Sequence, residues 1–150
     1  MSPRNRIQVI HGVNLDQLGR RDPEHYGTLT FDELEYAIEG FATELDLQVT
    51  FFQTNHEGAL VEHLHQLEGI ADAIVINPGA WTHYAWAIRD ALELTGLPAV
   101  EVHLSDVDAR EDFRKVSVIR DICVATVKGL GPDGYREALS RCKTILEDAS

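Results

Sequence analysis

The sequence predicts one α/β domain over residues 1–150, with helices on both faces of a five-stranded parallel sheet, three layers in all. Three observations carry this. Five short apolar runs rich in β-branched residues stand at Ile7–Ile10, Leu47–Phe52, Ala73–Ile76, Ala99–Val102 and Ile122–Val127. They are continuous, not alternating, as strands buried on both faces are. Between them lie segments whose apolar residues recur at three- and four-residue spacing, the signature of one-sided helices. The joins are short, and strands alternating with helices on short joins close into a doubly wound, flavodoxin-like sheet. At 150 residues and 44% hydrophobic content, the chain is long enough to bury one sizeable core.

Taken in order, the first strand leads into a long loop, His11–Gly27, HGVNLDQLGRRDPEHYG. Thr30 with Glu33 then forms a capping box that opens a helix to about Leu45, with Leu34, Ile38, Phe41, Ala42 and Leu45 on one face. A second helix is expected over about Gly58–Glu68, with Leu60, Leu64 and Leu67 inward. A third is expected from Thr82, read as its N-cap, to Leu94, and a fourth from Pro132 to about Leu146. The chain contains no internal repeat and no low-complexity segment.

Charge narrows the function classes. The net charge is −12, which argues against nucleic acid and against anionic membrane surfaces, since both need a broad basic face. No Lys or Arg stands between Asp22 and Ile88, whereas arginines gather at 20, 21, 110, 114 and 120. Cations concentrated in two stretches of an acidic chain serve either a small anion or ordinary solvation. Cys123 and Cys142 read as buried thiols, not as a disulfide framework. MSPRNRIQVI holds no apolar run of signal-peptide length and no run approaches membrane-spanning length, so the expected compartment is the cytoplasm.

In a doubly wound sheet, ligands bind beyond the carboxyl ends of the strands. The residues expected there are His11 and Asn14, Gln53–Asn55, Asn77, His103 and Ser105, and Lys128 and Gly129. A helix starting at Thr82 and His83 would aim its positive end at the same edge. The long first loop adds an amide (Asn14), two guanidiniums (Arg20, Arg21) and a phenol (Tyr26). Loops of this length usually carry function.

The available chemistry is limited. No Asp or Glu immediately follows the first or third strand, and neither a P-loop nor GxGxxG is present, so phosphoryl acceptance and nucleotide binding lack direct support. The histidines show no metal-ligand spacing, and His63 and His65 face different ways on a helix. Ser105 has no elbow motif, and Lys128 is the one lysine placed for Schiff-base chemistry, with a solvated strand end as its ordinary explanation. Acid/base work by Tyr26, His83 and His103 remains, with amides and arginines as binders. For Tyr26 to act as a base at neutral pH, its phenolate must be favoured by about 3 to 4 kcal/mol. One cation at about 4 Å supplies on the order of 4 kcal/mol before desolvation. A packing role for Tyr26 and a backbone-held strand-end role for His103 are the structural alternatives.

Four collinear motifs give the chain a resemblance to a known family. HGVNL, LGRRDP and HYG in the first loop, NPGAWTHYAWAIRDAL at 77–92, EVHLSDVDAREDFR at 101–114 and GLGPDGYREAL at 129–139 resemble the signatures of the type II 3-dehydroquinate dehydratases. The resemblance implies a flavodoxin-like subunit, trimers assembled into a dodecamer, and cofactor-free, metal-free anti elimination of water from the small anion 3-dehydroquinate. It implies Tyr26 as the base that forms an enolate, Arg21 and Arg110 beside its phenol, and Asn14 at the enolate oxygen. His103 is then the acid for the departing hydroxyl, and Glu101 a supporting carboxylate beside the site. For the substrate carboxylate it implies Asn77, Ser105 and the backbone amide of Leu104; for the ring hydroxyls, His83 and Arg114. Asp90 would reach a neighbouring subunit's site. The chain departs from the family at His11 and Val13, where asparagine and proline are usual. It departs again at Asp106, which replaces an asparagine and adds a negative charge near the carboxylate pocket, and over 115–121, KVSVIRD.

Overall fold

The computed structural model describes residues 4–20, 24 and 28–149. Five parallel strands, β1 (Arg6–His11), β2 (Gln48–Gln53), β3 (Ala73–Asn77), β4 (Ala99–His103) and β5 (Ala125–Lys128), lie in the order β2-β1-β3-β4-β5. This is the flavodoxin-like order, with its switch point between β1 and β3. The register pairs His11 with both Gln53 and Asn77, and His103 with Lys128, so the strand ends line up along one edge.

Four helices cover the sheet: α1 (Phe31–Glu44), α2 (Glu57–Leu64), α3 (Trp86–Leu94) and α4 (Asp133–Asp148). Because neighbouring residues of a strand point to opposite faces, β3 divides its side chains between two cores. Ala73 and Val75 pack beneath α1 and α4 with Leu34, Ile38, Tyr135 and Leu139. Ile74 and Ile76 pack beneath α2 and α3 with Leu60, Leu64, Ile88 and Leu92. The three layers follow. The Thr30–Glu33 capping box is present, with Thr30 Oγ1 accepting from the Glu33 N–H at 3.2 Å.

Three expectations are corrected. The third helix starts at Trp86, not at Thr82, and residues Gly79–His83 form a 3₁₀ turn instead. Thr82 is no N-cap because its hydroxyl is taken by Glu101 in β4. The last strand is shorter than its apolar run, since Arg120–Ile122 coils into another 3₁₀ turn before β5. Finally, β2 and β5 are only partly buried, because each pairs on one side only; burial on both faces holds for β3 and β4 and nearly throughout β1. Both cysteines are free thiols, and burial pushes each up to about 12.

Candidate active site

The edge is assembled by two glycines that bring backbones together. The Gly12 N–H donates to the Asn77 carbonyl at 2.7 Å, and a Cβ on Gly12 would sit 2.2 Å from the Pro78 carbonyl oxygen. Gly79, at φ +65°, would place its Cβ 2.6 Å from the Val13 carbonyl oxygen. The loop after β1 is therefore pressed onto the turn after β3 through contacts that only glycine permits. The usual Asn and Pro are not required for this approach.

A small cleft opens there, lined by Asn77, His83, His103, Leu104, Ser105, Arg110 and Arg114 with Leu15. An adjoining hollow shares Leu104, Ser105 and Arg110 and is reached by Glu24 of the first loop. No lysine lines either space among the described residues. Two arginines and two histidines around a small cleft give it groups able to hold an anion.

The strongest electrostatic feature lies behind His103. Glu101, fully buried in β4, accepts from Nε2 of His103 at 2.6 Å, from Thr82 Oγ1 at 2.5 Å and from Ser117 Oγ at 2.8 Å. Burial alone pushes Glu101 up, but the hydrogen bond and charge of His103, with the two hydroxyls, bring it below the ordinary carboxylate value. With Nε2 engaged, Nδ1 is the His103 nitrogen left for the cleft.

His83, Asn77 and Arg114 each have a partner of their own. His83 Nδ1 donates to the Val116 carbonyl at 2.7 Å and its ring meets Phe113 edge-on. Burial shifts His83 downward, toward the neutral ring. Asn77 Oδ1 accepts from the Gly79 N–H at 3.0 Å, which anchors the amide oxygen. Arg114 lies over the Phe113 ring and donates from Nε to Glu111 at 2.5 Å.

The structure thus brings together Asn77, His83, His103, Leu104, Ser105, Arg110 and Arg114, with Glu101 behind them. Asn14 stands on the adjacent loop, exposed, at φ +67°, its N–H held by Asn55 Oδ1 at 2.8 Å. Asn is among the few side chains that take this left-handed backbone readily. Asp90 is exposed on α3 and is not among the residues of this cleft. Arg21 and Tyr26 lie outside the described residues.

Several strand-end residues do not face a ligand. His11 is fully buried between Phe31, Phe51 and Tyr135 on the far side of the edge. Gln53 and Asn55 brace the first loop, Gln53 by donating to the Gly12 carbonyl at 3.3 Å and Asn55 by donating to Asp16. Lys128 is paired with Asp108. Asp106 lines the adjoining hollow with Ser105 and Arg110, so its charge does stand beside the cleft, and its carboxylate caps the following 3₁₀ turn, accepting from the Asp108 N–H at 3.1 Å. Asp and Asn cap equally well, so the substitution preserves that function. Ser117 was not singled out by the sequence. It sits inside the departing 115–121 stretch, and nothing in its spacing ties it to Glu101.

A doubly wound sheet whose strand ends hold a cation-lined cleft and a carboxylate-backed histidine defines a class: an α/β protein equipped for acid/base chemistry on a small anion. Comparison with known proteins makes this particular. The family model of Dehydroquinase class II matches residues 5–143, and the chain belongs to that family. It is 46% identical to the 3-dehydroquinate dehydratase of Halothermothrix orenii, over 97% of this chain and 99% of that one. The type II dehydroquinase structure from Propionibacterium acnes superposes with a TM-score of 0.89 at 42% identity, covering 96% of this chain and 99% of that chain. The type II dehydroquinase of Butyrivibrio crossotus gives 0.90 at 38% identity, covering 93% and 97%.

Proposed function

We propose that this protein is a 3-dehydroquinate dehydratase, a hydro-lyase that removes water from 3-dehydroquinate by cofactor-free anti elimination to give 3-dehydroshikimate. The observation that carries the reading is the Glu101–His103 pair at the wall of a cleft lined by Arg110 and Arg114. The substrate carboxylate is met by the Asn77 amide, the Ser105 hydroxyl and the Leu104 backbone amide, and the ring hydroxyls by His83 and Arg114. Tyr26, as phenolate beside Arg21 and Arg110, takes the proton next to the ketone. Glu24, at the rim beside Ser105 and Arg110, supports this assignment by bringing the first loop to the same edge. Electrons from the broken C–H bond form an enolate, whose oxygen is stabilised by Asn14 directly or through a water. The enolate then collapses, the C–O bond breaks, and His103 gives its Nδ1 proton to the departing hydroxyl.

An α-proton made acidic by a ketone needs a base of phenolate strength, and enolate chemistry asks for neither a Schiff-base lysine nor a metal. The same reading places the enzyme in the shikimate or quinate pathway, in the cytoplasm. It also makes the working unit an oligomer, a dodecamer of trimers in which Asp90 reaches the neighbouring site. No described helix is long and apolar enough to cross a membrane.

The test is the rise of conjugated-enone absorbance when purified protein meets 3-dehydroquinate, with and without borohydride and a metal chelator. Turnover unaffected by either agent is expected. No turnover by the folded protein, or inactivation by borohydride in the presence of substrate, overturns the reading.

A further inference from the structure

Ser117 lies 16 residues from Glu101 in the chain, yet it is stitched into the wall behind His103. The Val118 N–H donates to the Thr82 carbonyl at 2.7 Å and His83 donates to the Val116 carbonyl, so the residues either side of Ser117 are tied to the 79–83 turn. Its own oxygen accepts two backbone donors, the N–H of Ile119 at 3.3 Å and of Arg120 at 3.1 Å. A hydroxyl has two lone pairs and one proton. With both pairs occupied, the proton must be donated, and Glu101 is the acceptor in reach, at 2.8 Å from Oε1 and 3.0 Å from Oε2.

That direction propagates. Ser117 has no lone pair left for Thr82, 3.1 Å away, so the Thr82 proton also goes to Glu101. Both hydroxyls then present protons to the carboxylate, filling a lone pair on each oxygen and favouring its charged form. A charged Glu101 can only accept, so Nε2 of His103 meets it with its own proton.

We propose that Thr82 and Ser117 are positioning residues that hold Glu101 as an acceptor and thereby lock His103 with Nε2–H inward and Nδ1 toward the cleft. The inference rests on the dehydratase reading and deepens it. The proton given to the departing hydroxyl comes from Nδ1 of the imidazolium, the C–O electron pair leaves with the oxygen as water, and His103 is left as the neutral Nε2–H tautomer. The two hydroxyls touch no substrate; they act through Glu101.

The experiment joins ring-nitrogen NMR of ¹⁵N-histidine-labelled protein with steady-state kinetics on 3-dehydroquinate, for the wild type, Ser117→Ala, Thr82→Val and Thr82→Ser. The wild type is expected to show His103 with its proton on Nε2 and a far-downfield proton resonance. Ser117→Ala and Thr82→Val are each expected to lower kcat about tenfold or more with KM within about twofold, and to shift or broaden that resonance. Thr82→Ser keeps the hydroxyl and is expected to hold kcat within about twofold of wild type. In the pH profile of kcat, the limb belonging to the Glu101–His103 pair moves in the two hydroxyl-free variants only. The proposal is overturned if the wild-type ring is protonated on Nδ1 with Nε2 bare, or if both variants keep kcat and the resonance while only their melting temperatures fall. A wild type that fails to dehydrate 3-dehydroquinate removes the dehydratase reading, and the tautomer in wild type and Ser117→Ala still decides the lock.

Discussion

Two histidines end parallel strands one strand apart in this sheet, each with a carboxylate within about hydrogen-bond distance, and they are built for opposite ends. His103 closes β4 and gives Nε2 to Glu101 at 2.6 Å. His11 closes β1 with Nε2 3.2 Å from Glu35, but at an angle that makes no hydrogen bond, and neither of its ring nitrogens has a hydrogen-bond partner. Around Glu101 stand hydroxyl donors that sustain a charge; around His11 stand Phe31, Phe51 and Tyr135, which sustain none. Burial holds His11 down at about 4 and pushes Glu35 up, so both partners are driven toward their neutral forms. A buried histidine beside an acid is thus no mark of function by itself. What separates the two is whether the acid's other lone pairs are supplied with protons.

The largest expected effect tests this contrast directly. His103→Asn should lower kcat by about 10² to 10⁴, the usual worth of a positioned acid, while His11→Asn stays within about threefold of wild type, both read from enone absorbance. Equal losses would erase the distinction. The next effect concerns how the two strand ends are joined. Gly12→Ala drives a methyl into the Pro78 carbonyl and is expected to cost about 2 to 3 kcal/mol of stability in urea unfolding, with a KM increase from the displaced Asn77.

A smaller effect isolates His11 by pH. In the unfolded chain its ring takes a proton near 6.5, whereas in the folded chain it does so only near 4. Between these values the unfolded state binds more protons, so stability falls as the pH is lowered from 7 through 6.5 toward 4. At pH 5 this amounts to about 2 kcal/mol relative to pH 7. Glu35, raised in the fold, acts with the opposite sign in the lower part of that window and offsets some of the loss. The part due to His11 is the difference between wild type and His11→Asn in unfolding at pH 7 and pH 5, with the variant expected to be flatter. The smallest effect is Asp106→Asn, which exchanges one good cap for another and should change stability by less than about 0.5 kcal/mol and leave KM unchanged.

Much of the architecture was legible in order along the chain. The five apolar runs, the capping box at Thr30 and the helical spacing of Leu34 and Ile38 are local patterns, and local patterns are what residue spacing encodes. The motifs around Asn77, His103 and Arg114 were legible in the same way, and the structure gathers them into one cleft. Where the reading went astray, a partner distant in sequence had taken the side chain. Thr82 has the chemistry of an N-cap, but Glu101 claims its hydroxyl and the helix starts four residues later.

The sequence by itself determined the class of sheet, the family and which residue types could do chemistry, because these rest on spacing and on motifs that read along the chain. Only the tertiary structure decided the directions in which polar groups point. Whether His11 meets solvent or aromatic rings, and whether Ser117 meets water or Glu101, depends on which segments fold against one another. A hydroxyl's role is set by the donors and acceptors that fill its few sites, and those arrive from elsewhere in the chain.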